Sequence, residues 1–388
     1  MRVAQPAQET TEQAITLAPL PRHLDILQVY RGVAATLVVL FHLTYWGGPP
    51  PFLQLPLWTP MLPTWRPAGL FRSGGSGVDF FFTLSGFVMV WGYGSDAGNI
   101  YRLGPFLKSR MTRIYPTYWA VFVLTVLYYC IRPGVGDPSL LETKALIRGV
   151  ALYGMGPWQI PPSGTLPFEL ALYICFGALF IVGRTLFCVA GALWCVAIVA
   201  QWYGWYTVGN YPILLSPSML EFFLGAVGAV FIRRYRPRGS GIWLGIAAVL
   251  CVVVGVIGSV EQAQGYSHSF RNFALPYLLL IIAGVSYELS GQRRYPRLLM
   301  LLGDASFSIY LTHYYLIWEL NGKMSQYGLI ASTIGYDGQR IVILVLVLAI
   351  GVGFWAVVER PLLKWLHGKS TRAVDRAMLP PLVERVRM

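Results

Sequence analysis

The sequence predicts an all-α, polytopic membrane protein with about ten transmembrane helices. Hydrophobic residues make up 55% of the 388 residues and charged residues only 12%, and the mean hydropathy is +0.55. Soluble domains carry about twice that share of charged residues. This composition excludes a soluble globular enzyme, a disordered chain and a small disulfide-stapled domain.

Ten stretches are apolar over about the 20 residues that a helix needs to cross the hydrocarbon layer. They lie near residues 25–46, 76–94, 114–131, 165–183, 185–204, 212–232, 242–259, 272–289, 298–320 and 339–358. They predict a polar tail (1–23), a transmembrane domain (24–365) and a basic tail (366–388). The long connections 47–75 and 132–164 are interpreted as ordered loops or re-entrant caps.

The charge of the chain is strongly positive, with 30 Lys and Arg against 17 Asp and Glu. With a cytoplasmic N-terminus, twenty-one of these cations fall in inward segments and eight in outward loops. The positive-inside rule therefore predicts the inner (cytoplasmic) membrane with both termini in the cytoplasm. We expect the excess charge to meet anionic lipid instead of nucleic acid. Five cysteines without a CxxC pair predict neither a disulfide framework nor a metal site.

The first span contains two polar residues, Arg31 and His42. Charge inside hydrocarbon costs about 2.5–3.5 kcal/mol, which makes each a candidate functional residue. Eleven residues correspond to about 1100° of helix and about 16 Å of rise, so both lie on one face. A cation near one end and an imidazole deeper in the span suit an extended ligand with an anionic end and a reactive end. The alternative is structural: Arg31 reaches lipid phosphate, and His42 bonds a neighbouring helix.

Glu169 and His313 fall at the same predicted depth as His42, in the outer half of the fourth and ninth spans. A carboxylate on one imidazole nitrogen makes the other more basic, which is how a histidine becomes a general base. We therefore predict that His42, Glu169 and His313 converge as a catalytic group. Glu169 is alternatively close enough to a helix end to be solvated.

Other charged residues near the spans are assigned by position. Arg110 and Arg113 are three residues apart on a helix, so two guanidiniums on one face would clamp phosphate. They also satisfy the positive-inside rule without a ligand. Asp79 and Glu319 lie at outer ends, where solvation is expected, and Glu221 lies near mid-membrane, where it is expected to neutralise a buried cation such as Arg31.

Five motifs together resemble the integral-membrane acyltransferase-3 family, over about residues 24–365. They are residues 24–32 followed by His42; residues 77–87; Arg110 and Arg113 followed by Ile114-Tyr115-Pro116; residues 303–313, with Phe307 for the usual Tyr; and Glu359-Arg360-Pro361. One motif departs from the family. Where the family has W-[ST]-L-x-x-E, this sequence has Gly164-Thr165-Leu166-Pro167-Phe168-Glu169. Glycine therefore replaces the tryptophan, and the glutamate is retained as Glu169.

The resemblance implies transfer of an acyl group, usually acetyl from acetyl-CoA, to a hydroxyl of a sugar-containing acceptor. The family's acceptors include exopolysaccharide, lipopolysaccharide and glycolipid. The family's essential histidine corresponds to His42. A compatible mechanism places CoA phosphates on Arg31, Arg110 and Arg113 and makes His42 the general base, with no metal.

Two other classes remain as alternatives to an acyltransferase. A transporter or flippase for a polysaccharide precursor would line its path with buried charge and is expected to show internal repeats. A scaffold of polysaccharide synthesis would leave the shared face of Arg31 and His42 unexplained. We find no convincing repeat, and the polar residues concentrate in four spans, which favours the enzyme.

Overall fold

The computed structural model describes residues 21, 23–46, 72–132, 137–154, 156–206, 213–263, 269–291, 293–327 and 329–366. This described part contains twelve α-helices and no strand, which confirms the all-α prediction. The helices are α1 Asp25–Trp46, α2 Gly77–Tyr93, α3 Leu103–Ile131, α4 Thr143–Ala151, α5 Leu166–Gly177, α6 Leu179–Trp202, α7 Ser218–Tyr235, α8 Gly241–Ala263, α9 Ser269–Leu289, α10 Arg297–Asp304, α11 Ser306–Tyr327 and α12 Leu329–Phe354.

The apolar helices make this a multi-pass membrane protein. Five described segments are long and apolar enough to cross a bilayer: Asp25–Leu43, Ile100–Ile131, Leu179–Trp202, Gly241–Ser259 and Gly338–Leu366. Phe273–Leu289 is apolar but shorter. The number of ten spans is therefore not confirmed. Several predicted spans are short in the structure, such as α5 with 12 residues.

Two predicted spans are interrupted, and one is longer than expected. The ninth predicted span divides into α10 and α11 around Ala305. The tenth predicted span consists of part of α12 and the π-helical turn Trp355–Glu359 that follows α12. The third predicted span, which hydropathy alone starts near residue 114, belongs to a helix that begins at Leu103. Arg110 and Arg113 therefore lie on that helix. Polar residues on an inner helix face lower the mean hydropathy without ending the helix.

The long connection between α3 and α5 is ordered where the structure describes it. It contains α4 and a 3-10 turn, Pro161–Thr165, which leads into α5. Tyr118 of α3 donates a hydrogen bond of 2.7 Å to the carbonyl of Gly149 in α4. The described part of this connection is ordered, which agrees with the prediction of an ordered loop or a re-entrant cap. Residues 47–71 of the other long connection lie outside the described residues, as do both predicted tails except for residues 21, 23 and 366.

Glycines bring the helices around the site into close contact. A Cβ on Gly303, at the end of α10, would lie 2.1 Å from the carbonyl oxygen of Gln28 in α1, so only glycine fits there. Small residues permit such approaches between membrane helices. Since α11 follows α10 directly, this contact also keeps the start of α11 close to α1.

Candidate active site

Three arginines line one cavity of ≈ 900 Å³, a volume that includes its open mouth. Arg31 comes from α1, and Arg110 and Arg113 from one face of α3. We call this space the cationic cavity. None of the three guanidiniums forms a salt bridge with a described residue. The other polar side chains that line it are Ser85, Thr165, Glu169, Tyr173, Ser306 and Tyr310.

Aromatic rings surround the guanidinium of Arg110. Its central carbon lies 5.2 Å from the ring centre of Tyr93, 5.6 Å from that of Tyr173 and 5.7 Å from that of Phe106. At such distances the ring faces attract a cation. Its Nε is buried and has no hydrogen-bond partner among the described residues. The rings thus hold the charge at the cavity wall without neutralising it.

Glu359 belongs to this charged region, although the sequence analysis assigns it no role. It is buried at the end of the π-helical turn and accepts a hydrogen bond from the Ser308 hydroxyl. Its charge interacts with those of Arg31 and Arg113. Turns of this kind within α-helices are frequent at functional sites. The signal available in the sequence is an acidic residue directly after a long apolar run.

His42 and His313 form a direct pair. Nε2 of His313 lies 3.2 Å from Nδ1 of His42, and the ring centres are 4.8 Å apart. Nδ1 of His313 also lies 2.7 Å from the carbonyl oxygen of Tyr310, which only accepts. In the neutral ring that nitrogen therefore carries the hydrogen, and Nε2 is the acceptor.

The same reasoning gives the tautomer of His42. Its Nδ1 faces two acceptors, His313 Nε2 and the carbonyl oxygen of Val38 at 2.9 Å, so Nδ1 carries the hydrogen. This leaves the lone pair on Nε2, to which no described residue hydrogen-bonds. The pair therefore presents Nε2 of His42 as its basic atom.

Tyr310 connects the two groups and is not a candidate in the sequence analysis. It lines the cationic cavity, and its ring centre lies 5.9 Å from that of His313. Its hydroxyl donates to the carbonyl of Pro162 at 2.9 Å and lies 3.0 Å from Thr165 Oγ1. His42 itself does not line that cavity, and Tyr310 links the cavity to the histidine pair through His313.

Glu169 does not converge with the histidines as predicted. It lines the cationic cavity and accepts a hydrogen bond from Tyr173, one turn later on α5. The partner of His42 is instead His313, because α11 approaches α1 more closely than the start of α5 does. The contact between a carboxylate and His42 that the sequence predicts is therefore absent among the described residues.

Three further carboxylates differ from expectation in part. Asp79 is 7% exposed and not solvated, and Glu319 bonds Arg132 at 3.0 Å. Glu221 is fully buried, and the charge that acts on it is that of Asp79, not Arg31. Neither carboxylate oxygen of Glu221 has a hydrogen-bond partner among the described residues. The expected pairing of Glu221 with Arg31 is wrong, since Arg31 interacts with Glu359 and Glu169.

Three curated proteins are similar to this chain over half of its length or more. The exopolysaccharide production protein ExoZ of Rhizobium meliloti (strain 1021) is 29% identical over 78% of this chain and 93% of its own length. The acyltransferase MdmB of Streptomyces mycarofaciens is 26% identical over 76% of this chain and 82% of its own. Protein 2 in the picA locus of Rhizobium radiobacter is 27% identical over 53% and 96%. No solved structure matches significantly.

The family comparison covers most of the chain and includes all six candidate residues. The family described as an acyltransferase domain matches residues 24–360. That range contains both histidines, the three arginines of the cationic cavity and Glu169. The chain therefore belongs to the acyltransferase-3 family of membrane enzymes.

Proposed function

We propose that this protein transfers an acyl group, acetyl in the first instance, from acyl-CoA to a hydroxyl of a sugar-containing acceptor. One observation carries the proposal. Three guanidiniums that form no salt bridge with a described residue line a cavity, and its lining residue Tyr310 also contacts His313 of the His42–His313 pair. Such an arrangement brings an anion-binding region close to a proton acceptor.

The cationic cavity is proposed to bind the phosphates of the donor. Guanidinium groups present several N–H donors in a planar fork that matches phosphate oxygens, and such charge-assisted bonds are among the strongest in proteins. Arg110, Arg113 and Arg31 would share the phosphates, with Glu169 and Glu359 orienting Arg31. The thioester end would point toward Tyr310.

His42 is proposed to act as the general base. Its Nε2 takes the proton of the acceptor hydroxyl while the hydroxyl oxygen bonds to the thioester carbonyl carbon. The carbon–sulfur bond then breaks, and the proton on His42 passes to the departing CoA sulfur. His313 holds His42 in the tautomer that keeps Nε2 free. General-base catalysis of this kind contributes about 10²–10⁴-fold in rate.

The acceptor is proposed to be an extracytoplasmic polysaccharide or its glycolipid precursor. The name of one relative, an exopolysaccharide production protein, supports this class. We further propose that both termini are cytoplasmic, so that acyl-CoA enters from the cytoplasm, and that the basic C-terminal tail (366–388) rests on anionic lipid.

Mass spectrometry of surface glycans tests this function directly. Cells with the wild-type protein should show acylated glycans, and cells without it or with His42→Gln should lack them. Transfer of label from acetyl-CoA to the glycan by purified protein in lipid nanodiscs would identify acetyl-CoA as the donor. Loss of the whole surface glycan, instead of its acyl groups alone, would contradict the proposal and indicate a transporter.

A further inference from the structure

The indole of Trp158 occupies the space into which a side chain at position 164 would project. A Cβ built on Gly164 would lie 3.0 Å from Cδ1 and 3.1 Å from Nε1 of Trp158. These distances are at the limit of close packing, so the edge of the indole lies directly against the glycine. Position 164 is the one at which the family motif has tryptophan. Here an indole reaches the same place from six residues earlier in the chain.

Trp158 is held firmly in that position. It is 9% exposed and packs in the same core as Leu152, Ile160 and Leu166. The guanidinium of Arg148 lies 6.0 Å from its ring centre and donates a 2.8 Å hydrogen bond to the carbonyl of Pro157. A buried indole with fixed neighbours is a rigid support for whatever it contacts.

The contact supports the 3-10 turn Pro161–Thr165, which carries the groups that meet Tyr310. Thr165 Oγ1 lies 3.0 Å from the Tyr310 hydroxyl, and the Pro162 carbonyl accepts from that hydroxyl at 2.9 Å. Tyr310 in turn places its backbone carbonyl 2.7 Å from Nδ1 of His313. The order of contacts is thus Trp158, turn, Tyr310, His313.

We propose that Trp158 is a positioning residue for acyl transfer, which supplies the indole that position 164 lacks. This inference rests on the proposed function. Trp158 does not line the cationic cavity, so it acts through the turn and Tyr310 instead of touching substrate. Its removal should therefore lower kcat and leave the KM for acyl-CoA unchanged, since the arginines stay in place.

Moving the indole tests this directly. Trp158→Ala should lower kcat about tenfold to a hundredfold, as expected for misplaced reacting groups, and lower Tm. Gly164→Trp alone should also lower Tm, because two indoles cannot share one space. The double variant Trp158→Ala with Gly164→Trp should recover both kcat and Tm relative to Trp158→Ala. Trp243→Ala, at an exposed tryptophan on α8, is the matched control and should change neither.

A smaller substitution gives a second, milder test. Gly164→Ala should lower Tm in the wild type, where its Cβ meets the indole, and have less effect in the Trp158→Ala background. Equal effects in both backgrounds, or a double tryptophan variant no better than Trp158→Ala, would overturn the inference. A wild-type protein without acyl transfer would instead contradict the proposed function. In that case, recovery of Tm by the double variant would still show that indoles at positions 158 and 164 occupy the same space.

Discussion

Two groups of ionisable side chains lie inside the helical bundle, and they differ in what surrounds them. The cationic cavity combines three guanidiniums with an open volume of ≈ 900 Å³. The second group, which we call the acidic contact, consists of Asp79 on α2 and Glu221 on α7. By residue type alone, both groups are buried charges in a membrane protein, so both are candidate functional sites.

Packing separates the two groups. Around the acidic contact, α2 and α7 approach so closely that a Cβ on Gly86 would lie 1.9 Å from the carbonyl oxygen of Phe222. Glu221 is fully buried, and neither residue of the acidic contact lines the cationic cavity. Buried charge beside open space can meet a ligand, whereas buried charge in a closed contact cannot. We therefore assign function to the cationic cavity and structure to the acidic contact.

The largest expected effect comes from His42. His42→Gln removes the basic Nε2 and should lower kcat about 10²–10⁴-fold, the usual contribution of a general base. Membrane insertion and Tm should stay near wild-type values. The matched control is His23→Gln, because His23 is exposed and bonds only Asp25 among the described residues. Near-normal turnover by a well-expressed His42 variant would contradict the base role.

The arginines should show the next largest effect. Arg110→Ala with Arg113→Ala removes two charged donors, each worth about 1.5–3 kcal/mol, and should raise the KM for acyl-CoA about a hundredfold or more. The KM for acceptor should change much less. Arg102→Ala is the control, since Arg102 bonds Asp96 at 3.4 Å and does not line the cationic cavity. A larger effect on the acceptor would place the acceptor in this cavity.

His313 should matter less than His42. His313→Asn removes the Nε2 acceptor that orients His42, while the carbonyl of Val38 still holds Nδ1–H of His42. We expect a fall in kcat of about tenfold, with the KM for acyl-CoA unchanged and an altered pH profile of kcat. A loss equal to that of His42→Gln, in a variant of normal Tm, would mean that His313 transfers the proton itself.

The acidic contact should give the smallest effect on activity. Glu221→Gln removes one of two neighbouring carboxylates that repel each other, so Tm should stay the same or rise. Acyl transfer should continue at the wild-type rate. Measured thermal unfolding and turnover check both statements. A fall in kcat/KM for acyl-CoA as large as that of the arginine variants would contradict the distinction between the two groups.

Much of the site was predictable because it depends on local periodicity. Arg110 and Arg113 are on one helix face by their spacing, and α1 carries Arg31 and His42 along a single helix. The pairing of His42 with His313 was predictable only as a shared depth. The partner of that imidazole nitrogen is His313 instead of Glu169, and this depends on how α10 and α11 pack against α1, which no local pattern reveals.

The sequence by itself determined the all-helical membrane class, the family and the residues that carry unusual charge. These follow from composition, helical period and motif spacing, which are properties of one chain segment at a time. The tertiary structure alone decided which charges meet open space, that Tyr310 both lines the cationic cavity and contacts His313, and that Trp158 fills the place beside Gly164. Those outcomes depend on contacts between helices distant in sequence, where glycine positions and side-chain volumes set how closely two backbones approach.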